Sequence, residues 1–331
     1  MDMDALTKPK VLVARRVPEA VIDKLAAHFE LDTVHGETVL TPDELRARLH
    51  GKDGAYITGT ERITAELLDA CPGLRAVCTM SVGYNHIDLA ACTARRVLVT
   101  NTPDVLTETT ADLAFALLMA TARRMSEGER LLREGRWKSW GWDFLAGTDV
   151  HGATLGILGM GRIGQAIARR GRFGFGMNVV YHNRSRLPAE VEAELGARLL
   201  SKDELLRQAD HLVLVLPYSP ESHHCIAAAE IALMKPSATL VNIARGGIVD
   251  EDALAAALRE HRIAAAGLDV FEGEPRVNPA LLSLPNVVLT PHIGSATMPT
   301  RLAMADLAAD NLVAALTGAA PPNPLNPEVL R

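Results

Sequence analysis

The stretch TLGILGMGRIGQAIARR, residues 154–170, decides the fold of this chain. It begins as a short apolar strand and continues as an amphipathic helix, with Gly159, Gly161 and Gly164 between them in the spacing GxGxxG. In this context the first glycine permits a tight turn, the second lets a pyrophosphate approach the backbone, and the third lets helix and strand pack closely. The helix N-terminus then offers N–H groups and the positive end of its dipole to the anion. The stretch therefore predicts a dinucleotide site rather than a glycine-rich turn without a ligand.

Short apolar strands alternate with helical segments on both sides of this motif. The predicted strands are 10–14, 29–34, 54–58, 74–79 and 97–100 before it, and 153–159, 178–182, 211–217, 238–244, 264–270 and 286–290 from it onward. Such alternation is typical of parallel sheets that helices cover on both faces. We therefore predict an α/β fold with two doubly wound domains.

Longer helical patterns cover residues 18–28, 41–49, 107–135 and 300–318. After the third comes RWKSWGWDF, residues 136–144, which contains all three tryptophans of the chain. The last segment, AAPPNPLNPEVLR, is rich in proline and asparagine, and we expect it to be a surface arm.

Composition limits the classes of protein to consider. A length of 331 residues favours two domains of ordinary size, and 48% hydrophobic with 22% charged residues is typical of a soluble globular protein. The net charge of −6 argues against a nucleic-acid partner. The four cysteines show neither CxxC nor metal spacing, which predicts reduced thiols and no metal site. The N-terminus MDMDALTKPK lacks the apolar core of a signal peptide, and no apolar run is long enough for a membrane helix. We therefore expect a cytoplasmic protein with no membrane partner.

The residues after the second strand of the glycine-motif domain indicate which dinucleotide binds. NAD sites usually place an Asp or Glu there for the ribose hydroxyls. Here Asn183, Arg184, Ser185 and Arg186 occupy the corner, and no carboxylate follows until Glu190. Two guanidiniums and a hydroxyl suit a 2′-phosphate. This predicts NADPH as the preferred cofactor and NADH as the alternative, unless the arginines form only a solvated loop.

Polar residues follow three of the later predicted strands. LVNIARGG carries Arg245, AGLDVFEGEP carries Asp269 and Glu274, and VVLTPHIGS carries His292. Each alone has an ordinary structural explanation, such as a strand cap or a solvated loop. The carboxyl ends of parallel strands, however, meet at one edge of the sheet, where ligands bind. We therefore expect the side chains of Arg245, Glu274 and His292 beside the nicotinamide.

Their chemistry fits hydride transfer to a small 2-oxo acid. Hydride addition leaves negative charge on the carbonyl oxygen, and a protonated His292 could supply the proton near neutral pH. Glu274 would orient the ring and stabilise its cationic form. Arg245 would hold the substrate carboxylate, for which a planar guanidinium is better suited than a lysine.

The motifs that carry a family resemblance are SVGYNHID, TTADLAFALLMATAR, GILGMGRIGQAIARR, NIARGGIVDEDAL, AAAGLDVFEGEP and LTPHIGSAT. Through them essentially the whole chain resembles the D-isomer specific 2-hydroxyacid dehydrogenases. The resemblance implies that Arg245, Glu274 and His292 are the catalytic set. It also implies that the backbone amides of Val82 and Gly83 grip the substrate carboxylate.

The resemblance further implies a discontinuous architecture. Residues 1–102 and 295–331 would form a flavodoxin-like substrate domain, and residues 103–294 a Rossmann-type cofactor domain inserted into it. The segment of about 107–150 would be a dimerisation arm, so that the protein is a homodimer.

The resemblance completes the expected set of contacts. Ser295 joins Arg245 and His292 at the substrate. The cofactor contacts beyond the glycine motif and residues 183–186 are Arg162, Ile163, Leu216, Pro217, Ile243, Ala244, Arg245, Asp269, His292 and Gly294. Trp140 would reach the active site of the partner subunit, or else serve only to pack the dimer interface.

Within the family, WKSW, NRSR and TPHIGSAT are most similar to glyoxylate/hydroxypyruvate reductases, including the branch that reduces 2-ketogluconate. The leading hypothesis is NADPH-dependent reduction of glyoxylate to glycolate and of hydroxypyruvate to D-glycerate. The alternative is a longer 2-oxo acid such as 2-ketogluconate. Phosphoglycerate is disfavoured because no further regulatory domain follows residue 331. A non-enzymatic dinucleotide sensor is disfavoured because it would not need His292 as a proton donor.

Overall fold

The computed structural model describes residues 8–36 and 38–330. They divide into two compact units. The first comprises the described residues up to Leu106 and those from Thr297 onward, and the second comprises Thr107–Ala296. The second unit is thus inserted in the sequence of the first. The domain bounds predicted from the sequence are residues 1–102 with 295–331, and residues 103–294.

The strands within the described residues are β1 (Lys10–Val13), β2 (Glu30–Thr33), β3 (Gly54–Ile57), β4 (Ala76–Thr79), β5 (Leu98–Thr100), β6 (Thr154–Leu158), β7 (Asn178–His182), β8 (Arg198–Leu199), β9 (His211–Leu214), β10 (Thr239–Asn242), β11 (Ala265–Leu268) and β12 (Val287–Leu289). The α-helices there are α1 (Glu19–His28), α2 (Pro42–Leu49), α3 (Ala65–Ala70), α4 (Leu89–Ala94), α5 (Thr107–Ala122), α6 (Met125–Arg133), α7 (Arg162–Arg169), α8 (Ala189–Leu195), α9 (Lys202–Gln208), α10 (Ala228–Ile231), α11 (Glu251–Arg259), α12 (Pro279–Leu282) and α13 (Met298–Thr317).

The first unit is a parallel sheet in the order β2-β1-β3-β4-β5. Its strands other than the edge strand β2 are largely buried, because helices cover both faces of the sheet. Along β1, Leu12 packs with α2 and α3 on one face, while Val11 and Val13 pack with α1 and α13 on the other. The order is the flavodoxin-like one, as predicted.

The C-terminal tail differs from the surface arm that its composition predicted. The Asn326 side chain is buried, where it accepts a hydrogen bond from the Val99 amide at 2.8 Å and donates one to the Val97 carbonyl at 2.9 Å. The Leu325 amide donates to the Val99 carbonyl at 2.8 Å. The tail covers β5, an edge strand whose polar backbone groups would otherwise lack partners in the sheet.

The second unit is a parallel sheet in the order β12-β11-β10-β9-β6-β7-β8. This is the doubly wound Rossmann order extended by one strand, and it confirms the predicted fold class. The order reverses between β6 and β9, so the crevice at the carboxyl ends of these strands is the expected ligand site. The short strand β8, which pairs with Val180 and Tyr181 of β7, was not predicted from the sequence.

The long helix predicted over residues 107–135 is broken in the structure. Arg124 lies between α5 and α6 with a left-handed φ of 52°, and its guanidinium contacts the Glu127 carboxylate at 2.8 and 2.9 Å. Eight residues of α5 are buried, whereas α6 has none. None of the helices within residues 8–36 and 38–330 is long and apolar enough to span a bilayer.

The buried His211 predicts that the stability of the second unit depends on pH. Its Nδ1 lies 2.8 Å from the Thr239 hydroxyl and its Nε2 lies 3.0 Å from the Asp149 carbonyl. Burial lowers the pKa of His211 below its ordinary value of 6.5, because the interior disfavours the charged ring. Below pH 6.5, therefore, His211 binds a proton more readily in the unfolded chain than in the folded one.

We expect His211 to lower the free energy of unfolding as the pH drops below 6.5 toward its folded pKa, and this single group contributes at most about 1.4 kcal/mol per pH unit. Urea unfolding at several pH values measures this slope. In His211→Gln the slope should be smaller over the same range. An equal slope in both proteins would show that other groups cause it.

Candidate active site

The glycine loop between β6 and α7 has the geometry that its three glycines predict. Gly159 has a φ of +101°, and a Cβ there would lie 2.7 Å from the Leu216 amide nitrogen. A Cβ on Gly164 would lie 2.4 Å from the Gly159 carbonyl oxygen. A Cβ on Gly161 would meet nothing within 4 Å, so this side of the loop is open. The first and third glycines thus serve packing, and the second leaves space against which a pyrophosphate fits.

Helix α7 begins directly at this loop. Gly161 is its N-cap residue and gives it no side-chain cap, so a bound anion could satisfy the N–H groups of the first turn. Arg162 is exposed and Ile163 is half-buried in that turn.

The corner after β7 is tied to the glycine loop by Asn183. Its Oδ1 accepts a hydrogen bond from the Met160 amide at 2.7 Å. Arg184 and Ser185 are exposed beside it. Glu221 lies in the loop after β9. A hydrogen bond with the Ser219 side chain is the main reason that the pKa of Glu221 is lowered, and the charge of Arg184 lowers it to a smaller extent.

Arg186 is already engaged within the corner. Its Nε and Nη2 donate to the Glu192 carboxylate at 3.0 and 2.8 Å, and the Tyr181 hydroxyl donates to the same carboxylate at 2.7 Å. The hydrogen bond from Arg186 is the main reason that the pKa of Glu192 is lowered. The two arginines look equivalent in the sequence. In the structure Arg186 is hydrogen-bonded to Glu192, whereas Arg184 is exposed beside Asn183.

Arg245 lies on a turn that Asn242 shapes from the end of β10. The Asn242 Oδ1 accepts from the Ala244 amide and its Nδ2 donates to the Arg245 carbonyl, both at 3.0 Å. The Arg245 guanidinium is half-buried and donates to the Ala244 carbonyl at 2.7 Å. Burial lowers the pKa of Arg245, and the nearby charge of Glu274 opposes this. Ile243 and Ala244 are buried beside this turn, and Leu216 and Pro217 extend from the end of neighbouring β9.

The Arg245 turn packs tightly against the loop that follows β11. A Cβ on Gly246 would lie 1.9 Å from the Phe271 carbonyl oxygen, so only glycine permits this approach. The Glu274 Oε1 accepts a hydrogen bond from the Phe271 amide at 2.9 Å. This packing places the Glu274 carboxylate close to Arg245.

Glu274 and His292 form a hydrogen-bonded pair. The His292 Nδ1 lies 2.8 Å from the Glu274 Oε2. Burial alone would raise the pKa of Glu274, but the hydrogen bond and charge of His292, the Phe271 amide and the charge of Arg245 lower it overall. Since Nδ1 is held by the carboxylate, Nε2 is the ring nitrogen that can exchange a proton with a substrate.

Asp269 holds the loop that carries His292. Its Oδ1 accepts hydrogen bonds from the Thr290 hydroxyl at 2.7 Å and the Ile293 amide at 2.8 Å, and its Oδ2 accepts from the Gly294 amide at 2.8 Å. Burial is the main reason that the pKa of Asp269 is raised, and these hydrogen bonds oppose the shift. His292 itself has a left-handed φ of 52°, a conformation uncommon for a non-glycine residue. The family resemblance implies that Asp269 lies near the nicotinamide, but the sequence does not indicate these contacts.

The other predicted substrate residues lie in different places. Ser295 is half-buried just after Gly294. Trp140 is 79% exposed on the segment after α6. Val82 and Gly83 belong to the first unit, where the Asn101 side chain donates to the Val82 carbonyl at 2.8 Å and the Ser81 hydroxyl donates to the Gly83 carbonyl at 2.7 Å.

Comparison with known proteins identifies the family of this chain. Residues 115–294 match the family model of the D-isomer specific 2-hydroxyacid dehydrogenase NAD binding domain. The chain is 50% identical over 327 residues to a glyoxylate reductase of Thermococcus onnurineus, covering 98% of this chain and 97% of that protein. It is 48% identical over 327 residues to the glyoxylate/hydroxypyruvate reductase B of Klebsiella pneumoniae, covering 97% and 99%.

A solved structure is similar over nearly the whole chain. It is the NADPH-dependent glyoxylate/hydroxypyruvate reductase of Sinorhizobium meliloti in complex with NADP and malonate, with a TM-score of 0.84, 36% identity and coverage of 96% of this chain and 97% of that one. These similarities confirm the predicted family. The chain belongs to the D-isomer specific 2-hydroxyacid dehydrogenases, an oxidoreductase family with an NAD-binding Rossmann domain.

Proposed function

We propose that the protein reduces small 2-oxo acids, glyoxylate to glycolate and hydroxypyruvate to D-glycerate, with NADPH as the preferred cofactor. The observation that carries this proposal is the His292–Glu274 pair at 2.8 Å, beside the half-buried Arg245 and at the carboxyl edge of the Rossmann sheet. The names of the relatives above support the choice of substrates.

The cofactor would be held by the glycine loop and the corner after β7. The open side of Gly161 and the first turn of α7 fit the pyrophosphate. Arg184 and Ser185, which are exposed at this corner, would contact a 2′-phosphate on the adenosine ribose. When bound, the reduced nicotinamide supplies the hydride.

The chain itself would orient the substrate and supply the proton. Arg245 binds the substrate carboxylate and polarises the carbonyl. His292 donates a proton from Nε2 to the developing alkoxide, while Glu274 fixes the ring through Nδ1 and stabilises its cationic form. From the family resemblance we also propose that the backbone amides of Val82 and Gly83 donate hydrogen bonds to the substrate carboxylate.

A substrate panel tests the proposed activity. Initial rates of NADPH and NADH oxidation would be measured with glyoxylate, hydroxypyruvate, 2-ketogluconate and an aromatic 2-oxo acid. We expect the two small acids to have the highest kcat/KM, and NADPH to be preferred. Fast turnover of a longer acid beside negligible turnover of both small acids would favour the alternative substrate class. Turnover of none would favour a dinucleotide sensor.

Cofactor preference should depend more on Arg184 than on Arg186. We expect Arg184→Gln to raise the KM for NADPH about tenfold, as the loss of one charge-assisted contact implies, and to leave the KM for NADH nearly unchanged. Arg186→Gln is the matched control, and its effect should be smaller because that guanidinium is shared with Glu192. Equal KM values for NADPH in Arg184→Gln and the parent would remove Arg184 from the 2′-phosphate site.

We further propose a homodimer whose interface includes the segment after α6. Trp137, Trp140 and Trp142 are 55%, 79% and 85% exposed, which is unusual for tryptophan and typical of an interaction surface. The variant Trp140→Ala tests whether Trp140 contacts substrate in the partner subunit or only packs the interface. A raised KM with an intact dimer indicates substrate contact, whereas dissociation indicates packing.

A further inference from the structure

A second cluster of ligand-type side chains lies in the Rossmann unit beside the catalytic loop. His223 and His224 follow β9, and Glu272 lies in the loop after β11, two positions before Glu274. One potential ligand atom from each of the three lies within 4.8 Å of the other two. Over residues 8–36 and 38–330, no other group of three such residues meets this criterion.

The geometry of the cluster is set by the fold. The His224 Nε2 lies 2.9 Å from the Glu272 Oε2, and the rings of His223 and His224 stack with centroids 3.9 Å apart. The His223 Nδ1 lies 3.1 Å from the Tyr218 hydroxyl, which leaves its Nε2 as the ligand atom. Donor atoms from two separate loops therefore lie close together. Because the two imidazole planes are only 22° apart, the exposed His223 ring has to rotate before both rings can direct a nitrogen lone pair at one ion.

Backbone contacts hold both loops in place. The His224 amide donates to the Gly247 carbonyl at 2.7 Å, and the Glu272 amide donates to the Glu251 carboxylate at 2.7 Å. His224 also has a left-handed φ of 48°, a backbone conformation that persists only where the surrounding structure holds it. The backbone that carries the three side chains is thus already ordered, so metal binding would need to reorient side chains only.

We propose that His223, His224 and Glu272 form a binding site for a divalent transition-metal ion such as Zn²⁺. Two imidazoles and one carboxylate are a known zinc ligand set with a fourth position open to water. Imidazole ligands favour zinc, copper and nickel over magnesium and calcium, which prefer oxygen ligands. Since His223 and Glu272 are exposed, the ion could enter from solvent.

Metal binding would restrain the active site. The ion would join the loop after β9 to the loop after β11, and the second of these carries Glu274. The Arg245 turn packs against the same loop through Gly246. We expect bound Zn²⁺ to lower kcat. This effect rests on the proposed function, whereas the metal site itself does not.

The test is equilibrium dialysis of the intact, metal-stripped protein against Zn²⁺, with the visible absorption of bound Co²⁺ as a second readout of ligand geometry. We expect one metal ion per chain at micromolar concentration. Glu272→Gln and His224→Asn should each weaken binding about tenfold or more. Asparagine is chosen at 224 because it tolerates the left-handed backbone better than most residues.

Two control variants make the result specific. His50→Ala removes an exposed histidine of the first unit, and His292→Asn removes the histidine of the proposed catalytic pair. Both should bind Zn²⁺ like the parent. Absence of binding up to millimolar Zn²⁺, or equal binding in Glu272→Gln and the parent, would overturn the proposed site. Because the readout is metal content, failure of the proposed reductase activity would leave this result unaffected.

Discussion

Replacement of His292 by asparagine is expected to lower kcat with glyoxylate by about 10²–10⁴-fold, the usual contribution of a positioned general acid. The dissociation constant for NADPH should change little, because the glycine loop and the corner after β7 are untouched. Asparagine suits the left-handed φ of 52° at this position, so the loop should keep its shape. Steady-state kinetics and fluorescence titration of NADPH measure the two quantities.

A companion variant separates the proton donor from its partner. Glu274→Gln retains an oxygen that can face the His292 Nδ1 but removes the negative charge. We expect its kcat to fall less than that of His292→Asn. Turnover of His292→Asn at the parent rate would exclude His292 as the proton donor.

Replacement of Arg245 by lysine is expected to lower kcat/KM on the order of 10²-fold, which corresponds to a loss of about 3 kcal/mol of transition-state stabilisation. Lysine keeps the charge but loses the planar pair of donors that matches a carboxylate. Its flexible chain also lacks the Nη1 contact with the Ala244 carbonyl that holds the guanidinium at 2.7 Å. Initial rates over a range of glyoxylate concentrations, at saturating NADPH, give the value.

Arg259→Lys is the matched control, because Arg259 is exposed at the end of α11. It should retain the kcat/KM of the parent. If Arg245→Lys retained it as well, the bidentate binding of the substrate carboxylate by Arg245 would have to be abandoned.

Much of the site could be predicted from local patterns. The spacing of Gly159, Gly161 and Gly164 between a strand and a helix predicts an anion site within a few residues of chain. Arg245 and His292 each follow a recognisable apolar strand, and parallel strands end at a common edge. Local order of this kind depends on periodicity and on residue type, both of which are visible in the sequence.

Other features required the three-dimensional arrangement. Arg184 and Arg186 are two positions apart and chemically identical, yet only Arg186 is clamped by Glu192. The break at Arg124 interrupts a segment whose residues otherwise favour helix, because only α5 has a buried face to occupy. The tail around Asn326 lies on β5 although its composition suggests a solvated arm.

The sequence by itself determined the α/β class and the glycine motif, and it singled out the residues that we propose for the chemistry, since these depend on short-range spacing. Only the tertiary structure decided which partners those residues contact. Asp269 reaches Gly294 across 25 positions, and His224 reaches Glu272 across 48. Such contacts follow from the order of strands in the sheet and from the close approach of loops at its edge. Neither of these can be read from the local sequence pattern.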